Sequence, residues 1–243
     1  MYTPDANFES VAQHCLAMIF ALARRIPGQD RRIRTGNFGK SGYDGIDLRG
    51  KTLGLVGFGR IGRRLLELVG PLDMHLLIYH PSNRDENLPR NTDKVKSVEA
   101  VLRGSDIVSL HCPLNEDNRG LINSRTIGLM KQGAFLINTA RGGLVVETDL
   151  VDALRDQRLG GAALDVFEKE PPVKSNPLFT MDNVIATSHI AGSSDQSLHN
   201  MGRNSVDNVL AILRGESVDA KVLLNLTACP SVRITTNPHD QTN

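Results

Sequence analysis

A histidine, two acids close together, an arginine and an aspartate carry the chemistry this chain could do. His189 closes an apolar run and is followed by Ile190-Ala191-Gly192-Ser193. An imidazole titrates near neutrality and can give or take a proton, and among the seven histidines this one is best placed for that work. A lone histidine at a strand end is more often structural. Glu168 and Glu170 stand in Phe167-Glu168-Lys169-Glu170-Pro171-Pro172. A carboxylate beside a histidine orients the ring and favours its protonated form. Spacing does not choose between the two acids, and the plainer reading of either is a loop acid near prolines. Arg141 follows Asn138-Thr139-Ala140 and precedes Gly142-Gly143. Its guanidinium is always charged and fits a carboxylate; alone it is equally well a solvated arginine. Asp165 ends another apolar run, where a carboxylate can accept from a carboxamide or cap a turn.

These groups need a ligand to act on, and one glycine motif suggests which. Leu53-Gly54-Leu55-Val56 leads into Gly57-Phe58-Gly59-Arg60-Ile61-Gly62, which reads G-x-G-x-x-G. Gly57 turns the chain, Gly59 lets backbone approach a pyrophosphate, and Gly62 lets the following helix pack on the strand. That helix, residues 60–69, points its positive end and unpaired N–H groups at the phosphate. The motif alone is weak. Here a strand precedes it, a helix follows, and a second strand ends at His80, where a ribose-binding side chain belongs.

The elements that must position these residues alternate. Strands are expected at 53–57, 76–80, 106–111, 134–139, 162–166 and 184–190, and helices at 60–69, 97–103, 123–131 and 147–157. Short apolar strands separated by helices indicate an α/β fold with a doubly wound parallel sheet. Ligands sit at the carboxyl ends of such strands. Ahead of the sheet, Val11, Cys15, Met18, Ile19 and Leu22 give residues 8–24 one apolar helical face, with Pro27 and Gly28 as the stop. Residues 28–50, rich in glycine, read as a long surface loop. After the sheet, 194–214 read as a long helix with an apolar face built from Leu198, Met201, Val206, Val209, Leu210 and Leu213. The tail from Leu226 reads as poorly ordered.

Composition narrows the classes. The chain has 243 residues, 40% hydrophobic and 23% charged, with formal net charge +1. Nothing there favours a nucleic acid or a membrane surface. No apolar run reaches a membrane span, and the N-terminus does not read as a signal peptide. Cys15, Cys112 and Cys229 have no metal-ligand spacing and read as free thiols of a reducing cytoplasm.

Taken together, several segments resemble the D-isomer-specific 2-hydroxyacid dehydrogenases. They are Asn7 to Ala12, Gly50 to Gly54, Gly57 to Gly62, His111-Cys112-Pro113-Leu114, Asn138 to Gly143, Asp165 to Pro171 and His189 to Gly192. The resemblance covers about residues 4 to 225 and is specific in combination. It implies a Rossmann fold whose regions are an interdomain helix (1–27), a dinucleotide-binding domain (28–193) and a return helix with tail (194–243). It implies hydride transfer between a nicotinamide cofactor and a small 2-oxo or 2-hydroxy acid: glyoxylate, hydroxypyruvate and phosphohydroxypyruvate all qualify. The family's substrate-binding arginine falls on Arg141, its acid before proline on Glu170 and its acid/base histidine on His189. Cofactor contacts fall on Gly57, Gly59, Arg60, Ile61, Gly62, His80, Arg84, Cys112, Pro113, Thr139, Ala140, Arg141, Asp165, His189 and Gly192. No metal is implied, and a homodimer is.

Three departures from the family pattern carry expectations. Phe38 and Ser188 replace a usual tryptophan and proline. The second strand runs into His80-Pro81-Ser82-Asn83-Arg84, without the acid that meets a ribose 2′-hydroxyl, which favours NADP over NAD. The chain also starts where the family's interdomain helix starts. On that reading it would bind nucleotide but reduce 2-oxo acids poorly until another polypeptide completes the cleft. The alternative is a catalytically weak or inactive nucleotide-binding interaction protein, like the family's corepressors.

Overall fold

Strands buried on both faces need apolar side chains on both, and helices to cover each. In the computed structural model, which describes residues 3, 5–39, 45–81, 88–223, 232, 234 and 235, this requirement organises the chain. The sheet strands are β1 (Thr52–Val56), β2 (His75–Tyr79), β3 (Thr92–Lys94), β4 (Ile107–Leu110), β5 (Ala134–Asn138), β6 (Leu159–Leu164) and β7 (Val184–Ala186). Their order is β3-β2-β1-β4-β5-β6-β7, and every pair is parallel. This is the doubly wound α/β sheet, with the chain reversing direction across the sheet between β1 and β4.

Period-two alternation divides the core into two layers. Leu53 and Leu55 of β1, Leu76 and Ile78 of β2, Ile107, Ile137 and Ala163 face one layer. There they meet helix α1 (Phe8–Ala23), through Cys15, Ile19 and Leu22, and helix α3 (Arg60–Val69), through Leu65 and Val69. Val56, Val108, Leu110, Leu136 and Leu164 face the other layer. Helices α4 (Val98–Gly104), α5 (Ser124–Ile127) and α6 (Glu147–Arg155) cover that side.

Several boundaries differ from the sequence reading, each for a local reason. Residues 28–50 are not wholly loop, because Ile26–Arg34 forms helix α2. Arg25 takes a left-handed conformation (φ 50°) that ends α1, and Pro27 then sits in the first turn of α2, where its missing N–H costs nothing. So Pro27 starts α2, and the stop of α1 falls at Arg25 rather than at Pro27 and Gly28. Strand β3 has no apolar pattern; Thr92, Asp93 and Lys94 form a polar sheet edge paired in parallel with β2. β6 begins earlier than expected, at Leu159, because Gly160 and Gly161 break its apolar run in sequence without breaking its pairing. β7 ends at Ala186, so His189 lies beyond the strand rather than in it.

By contacts the chain forms two compact units. Val11–Ala191 is one and carries the seven-stranded sheet; most of α1 therefore packs with the sheet. The other comprises residues up to Ser10 and from Gly192 onward. In it, helix α7 (Asp195–Leu213) is capped by a reciprocal pair, Ser194 Oγ accepting from the Ser197 N–H and Ser197 Oγ from the Ser194 N–H. The apolar face expected of this helix exists but is not buried: Leu198 is 57% exposed, Val206 56% and Leu213 77%. Val218–Asp219 pairs in parallel with Ile234–Thr235 in the same unit. Apart from residues 232, 234 and 235, the tail from Leu226 lies outside the described residues, as do Ser82, Asn83 and Arg84.

Candidate active site

The carboxyl ends of β1, β2 and β4 meet at the glycine motif. The Gly57 N–H donates to the Tyr79 carbonyl and the His111 N–H to the Val56 carbonyl, at 2.9 and 2.8 Å. Gly57 has φ 96°, and a Cβ there would stand 2.6 Å from the His111 carbonyl group, so no side chain fits. Gly62 lies against the Gly57 carbonyl, which seats α3 on the turn. Gly59 is different: the space around a Cβ there is open, and as the N-cap of α3 it has no side-chain partner for the helix's first N–H groups. An open approach, a helix start at Gly59 and a glycine turn fit a dinucleotide diphosphate.

The rest of the cofactor edge is mixed. His80 directly follows β2, and Arg60 and Ile61 open α3. Cys112 packs against the core while Pro113 is exposed, its carbonyl accepting from Asn118 Nδ2 at 2.7 Å. Burial pushes the Cys112 thiol up and the His111 imidazole down to about 4, so His111 is neutral at pH 7. His111 Nε2 lies 2.9 Å from Ser109 Oγ, and its Nδ1 is buried without a partner among the described residues. Thr139 turns its hydroxyl inward, 2.9 Å from the Cys15 Sγ, so any contact from Thr139 to a ribose would come from main chain. Gly192 belongs to the second unit, where its carbonyl accepts from Ser197 Oγ.

Arg141 stands just past β5, exposed, with Nη1 donating to the Ala140 carbonyl at 2.6 Å. Its loop is shaped by Asn138, a buried residue that sequence reading passed over. Asn138 Oδ1 accepts from the Ala140 N–H and Nδ2 donates to the Arg141 carbonyl. A polar amide at the end of an apolar strand was the available signal. Gly142 then passes so close to the chain after β6 that a Cβ would collide with the Phe167 main chain. The arginine loop and the acid loop are therefore packed backbone to backbone.

On the acid loop, Glu170 and not Glu168 reaches the histidine. His189 Nδ1 and Glu170 Oε2 are 2.8 Å apart, while Glu170 Oε1 accepts from the Phe167 N–H at 3.0 Å. Glu168 is engaged elsewhere through its N–H, which donates to Glu147 Oε1. Partial burial pushes the Glu170 carboxyl up, but the hydrogen bonds from His189 and Phe167 outweigh it and hold the acid below its ordinary value. With Nδ1 engaged, Nε2 is the ring atom left for a ligand.

His189 itself is in the left-handed region, φ 57°, a costly conformation for a side chain this size. Asp165 maintains it. The Asp165 carbonyl accepts from the His189 N–H at 2.8 Å. Its carboxylate accepts from the Ile190 N–H (2.9 Å), the Ala191 N–H (2.8 Å) and the Thr187 hydroxyl (2.5 Å). Asp165 is only 1% exposed, with most of its acceptor positions already used.

A hollow of about 520 Å³ borders Glu170 and His189, walled by Phe167, Pro171, Pro172 and Phe179. A larger one, about 600 Å³, opens at the amino ends of β5–β7, beside Gly133, Gly160 and Asn183. It touches none of these groups, so volume does not mark the chemistry here. Among the described residues no cluster of three or more His, Cys, Asp or Glu side chains is placed to hold a metal, and no helix is long and apolar enough to cross a membrane.

Residues 16–191 match the family model for the D-isomer specific 2-hydroxyacid dehydrogenase, NAD binding domain. D-3-phosphoglycerate dehydrogenase of Archaeoglobus fulgidus is 36% identical over 212 residues, covering 87% of this chain and 40% of that protein. Glyoxylate reductase of Thermofilum pendens is 38% identical over 226 residues, covering 91% of this chain and 67% of that protein. The crystal structure of D-lactate dehydrogenase from Aquifex aeolicus complexed with NAD and lactic acid superposes with a TM-score of 0.80 at 33% identity, over 88% of this chain and 68% of that one. The chain thus spans about two fifths of the phosphoglycerate dehydrogenase and two thirds of the other two.

Proposed function

The chain belongs to the D-isomer specific 2-hydroxyacid dehydrogenases, and on that footing we propose that it interconverts a small 2-oxo acid and its D-2-hydroxy acid using a nicotinamide dinucleotide. The observation that carries this reading is the 2.8 Å pairing of His189 Nδ1 with Glu170 Oε2 at the sheet's ligand edge. A bound nicotinamide supplies the hydride at substrate C2 in reduction and takes it back in oxidation. In reduction His189 delivers the proton from Nε2 to the substrate's C2 oxygen, so the 2-oxo acid gains one hydride and one proton. Glu170, accepting from Nδ1, aims the ring so that Nε2 faces the substrate. Arg141 holds the substrate carboxylate and polarises the carbonyl with its fork of donors. Gly57, Gly59 and the start of α3 hold the diphosphate.

Within this reading the cofactor is NADP in preference to NAD. Supporting it, the side chain directly after β2 is His80, where an acid would repel a 2′-phosphate, and Arg84 follows in sequence. Glyoxylate, hydroxypyruvate and phosphohydroxypyruvate are the substrates to assay, the relatives' names adding support to each. The working form is a homodimer in the cytoplasm. The exposed Leu198, Val206 and Leu213 of α7 favour self-association, and the reduced Cys15 and Cys112 suit that compartment.

One experiment tests the reading: turnover of a panel of 2-oxo acids with NADPH and NADH, for the wild-type chain and for His189→Gln. The expected outcome is turnover that falls about 10²–10⁴-fold in the variant, the usual contribution of a positioned acid/base, while dinucleotide binding survives. An equally active His189→Gln protein would remove the assignment. Tighter binding of NAD than NADP, or an Arg84→Ala change that leaves NADP affinity intact, would overturn the cofactor preference.

A further inference from the structure

The His189 turn is tied to a residue far away in sequence that the reaction itself does not use. His14, on α1, places Nε2 3.2 Å from the Thr187 hydroxyl and 3.9 Å from Asp165 Oδ1. The roles in this chain of contacts follow from which groups hold hydrogens. Ionised Asp165 only accepts, and two main-chain N–H groups already point at its oxygens. The Thr187 hydroxyl, 2.5 Å from Oδ1, must then donate to it. That leaves only lone pairs on the hydroxyl facing His14, so His14 Nε2 carries a hydrogen and donates.

We propose that His14 is a positioning residue for the catalytic turn: by donating Nε2–H to Thr187 it fixes the hydroxyl that, with the Ile190 and Ala191 N–H groups, holds Asp165 beneath His189. The turn needs such support. His189 sits at φ 57°, and a left-handed non-glycine residue persists only where its surroundings hold it. Thr187, Ile190 and Ala191 bracket His189 in sequence and all bond to one carboxylate. His14 reaches this cluster from outside the turn, and it sits on a helix whose Cys15 and Ile19 are fully buried against the sheet. The rigid core thereby constrains the direction of the imidazole. Its consequence for catalysis rests on the dehydrogenase reading; its structural content does not.

The test compares His14→Phe with His14→Gln, and Thr187→Val with Thr187→Ser, in the full chain. A glutamine amide can place its nitrogen donor where Nε2 stood, and serine keeps the hydroxyl. Residue-resolved amide hydrogen exchange at Ile190 and Ala191 is the first readout, because those N–H groups report the Asp165 clamp without any substrate. His14→Phe and Thr187→Val are expected to speed exchange there about tenfold or more, while Leu55 in β1 stays at the wild-type rate. His14→Gln and Thr187→Ser are expected near wild type. In assays, His14→Phe should lower kcat with little change in KM for the dinucleotide, and His14→Gln should restore it. Unchanged exchange at Ile190 and Ala191 in His14→Phe, or failure of the glutamine to rescue, would overturn the proposal. A wild-type chain without turnover would sink the dehydrogenase reading alone, since exchange still decides the role of His14. Should His14→Phe fail to fold, the Thr187 pair answers the same question.

Discussion

At the scale of single residues, the pairing of His189 with Glu170 has a measurable signature in stability. The folded Glu170 carboxyl titrates below its ordinary value, the imidazole and the Phe167 N–H favouring its charged form. A depressed acid stabilises the fold above the unfolded-state pKa, about 4.3 for Glu, and that stabilisation is lost as pH falls through the folded value. The urea midpoint of wild type should therefore exceed that of Glu170→Gln at pH 5, and the gap should close on the way to pH 3. Its size will be modest because the side chain is 37% exposed and solvent screens it. A gap that persists unchanged at pH 3 would mean the carboxylate contributes nothing by being charged. Arg141 makes a different prediction. Its planar fork, with one nitrogen anchored on the Ala140 carbonyl, is what suits a carboxylate, and lysine offers only a point charge. Arg141→Lys should lower kcat/KM for 2-oxo acids by about tenfold or more, one charge-assisted hydrogen bond being worth roughly 1.5–3 kcal/mol. Equal kcat/KM in steady-state assays would return Arg141 to a solvated surface role.

At the scale of elements, two glycines of one motif should respond in opposite ways. Gly57 has φ 96° and backbone 2.6 Å from any Cβ, so Gly57→Ala strains the turn between β1 and α3 and should destabilise the fold by about 1–3 kcal/mol. Gly59 has open space and φ −83°, which alanine adopts freely, so Gly59→Ala should leave unfolding in the absence of ligand almost unchanged. Its methyl would stand in the diphosphate's approach and weaken dinucleotide binding by about tenfold or more. Denaturant unfolding with and without dinucleotide separates the two effects. If Gly59→Ala binds as wild type does, the diphosphate does not pass there. The loops after β5 and β6 show the same logic without a motif. Gly142 is needed because the Phe167 main chain fills the place of its side chain, and that contact sets the arginine loop beside the acid loop.

At the scale of the whole molecule, the sheet is rigid through its two buried layers, while its ligand edge is made of loops held by a few buried polar side chains: Asn138, Asp165 and Thr139. A ligand that bridges those loops should stabilise the folded chain by linkage. Dinucleotide at one hundred times its Kd should add about 2.7 kcal/mol to the unfolding free energy and raise Tm by several degrees. Thermal melts with NADP, NAD and adenosine monophosphate measure it directly. No shift with any dinucleotide would defeat the nucleotide-binding proposal regardless of turnover.

What the amino-acid order determined alone was the alternation of elements and the set of reactive side chains. Leu53 to Val56, Ile107 to Leu110 and Ala134 to Ile137 are apolar enough to require burial on both faces, and G-x-G-x-x-G after the first of them marks a nucleotide turn. Local pattern suffices there because burial and backbone sterics act over a few residues. Sequence spacing left Glu168 and Glu170 equivalent, placed His189 inside a strand, gave α7 an apolar face without saying what covers it, and left residues 26–34 without a helix. Those outcomes depend on contacts between distant segments. Glu147 takes the Glu168 N–H, Asp165 pulls the chain out of β7 after Ala186, and Gly142 against Phe167 sets the acid loop. Such choices are energetic comparisons among partners far apart in sequence, from 21 residues between Glu147 and Glu168 to 173 between His14 and Thr187. Only the packed fold brings those partners within reach, which is why the groups were legible in the sequence and their arrangement was not.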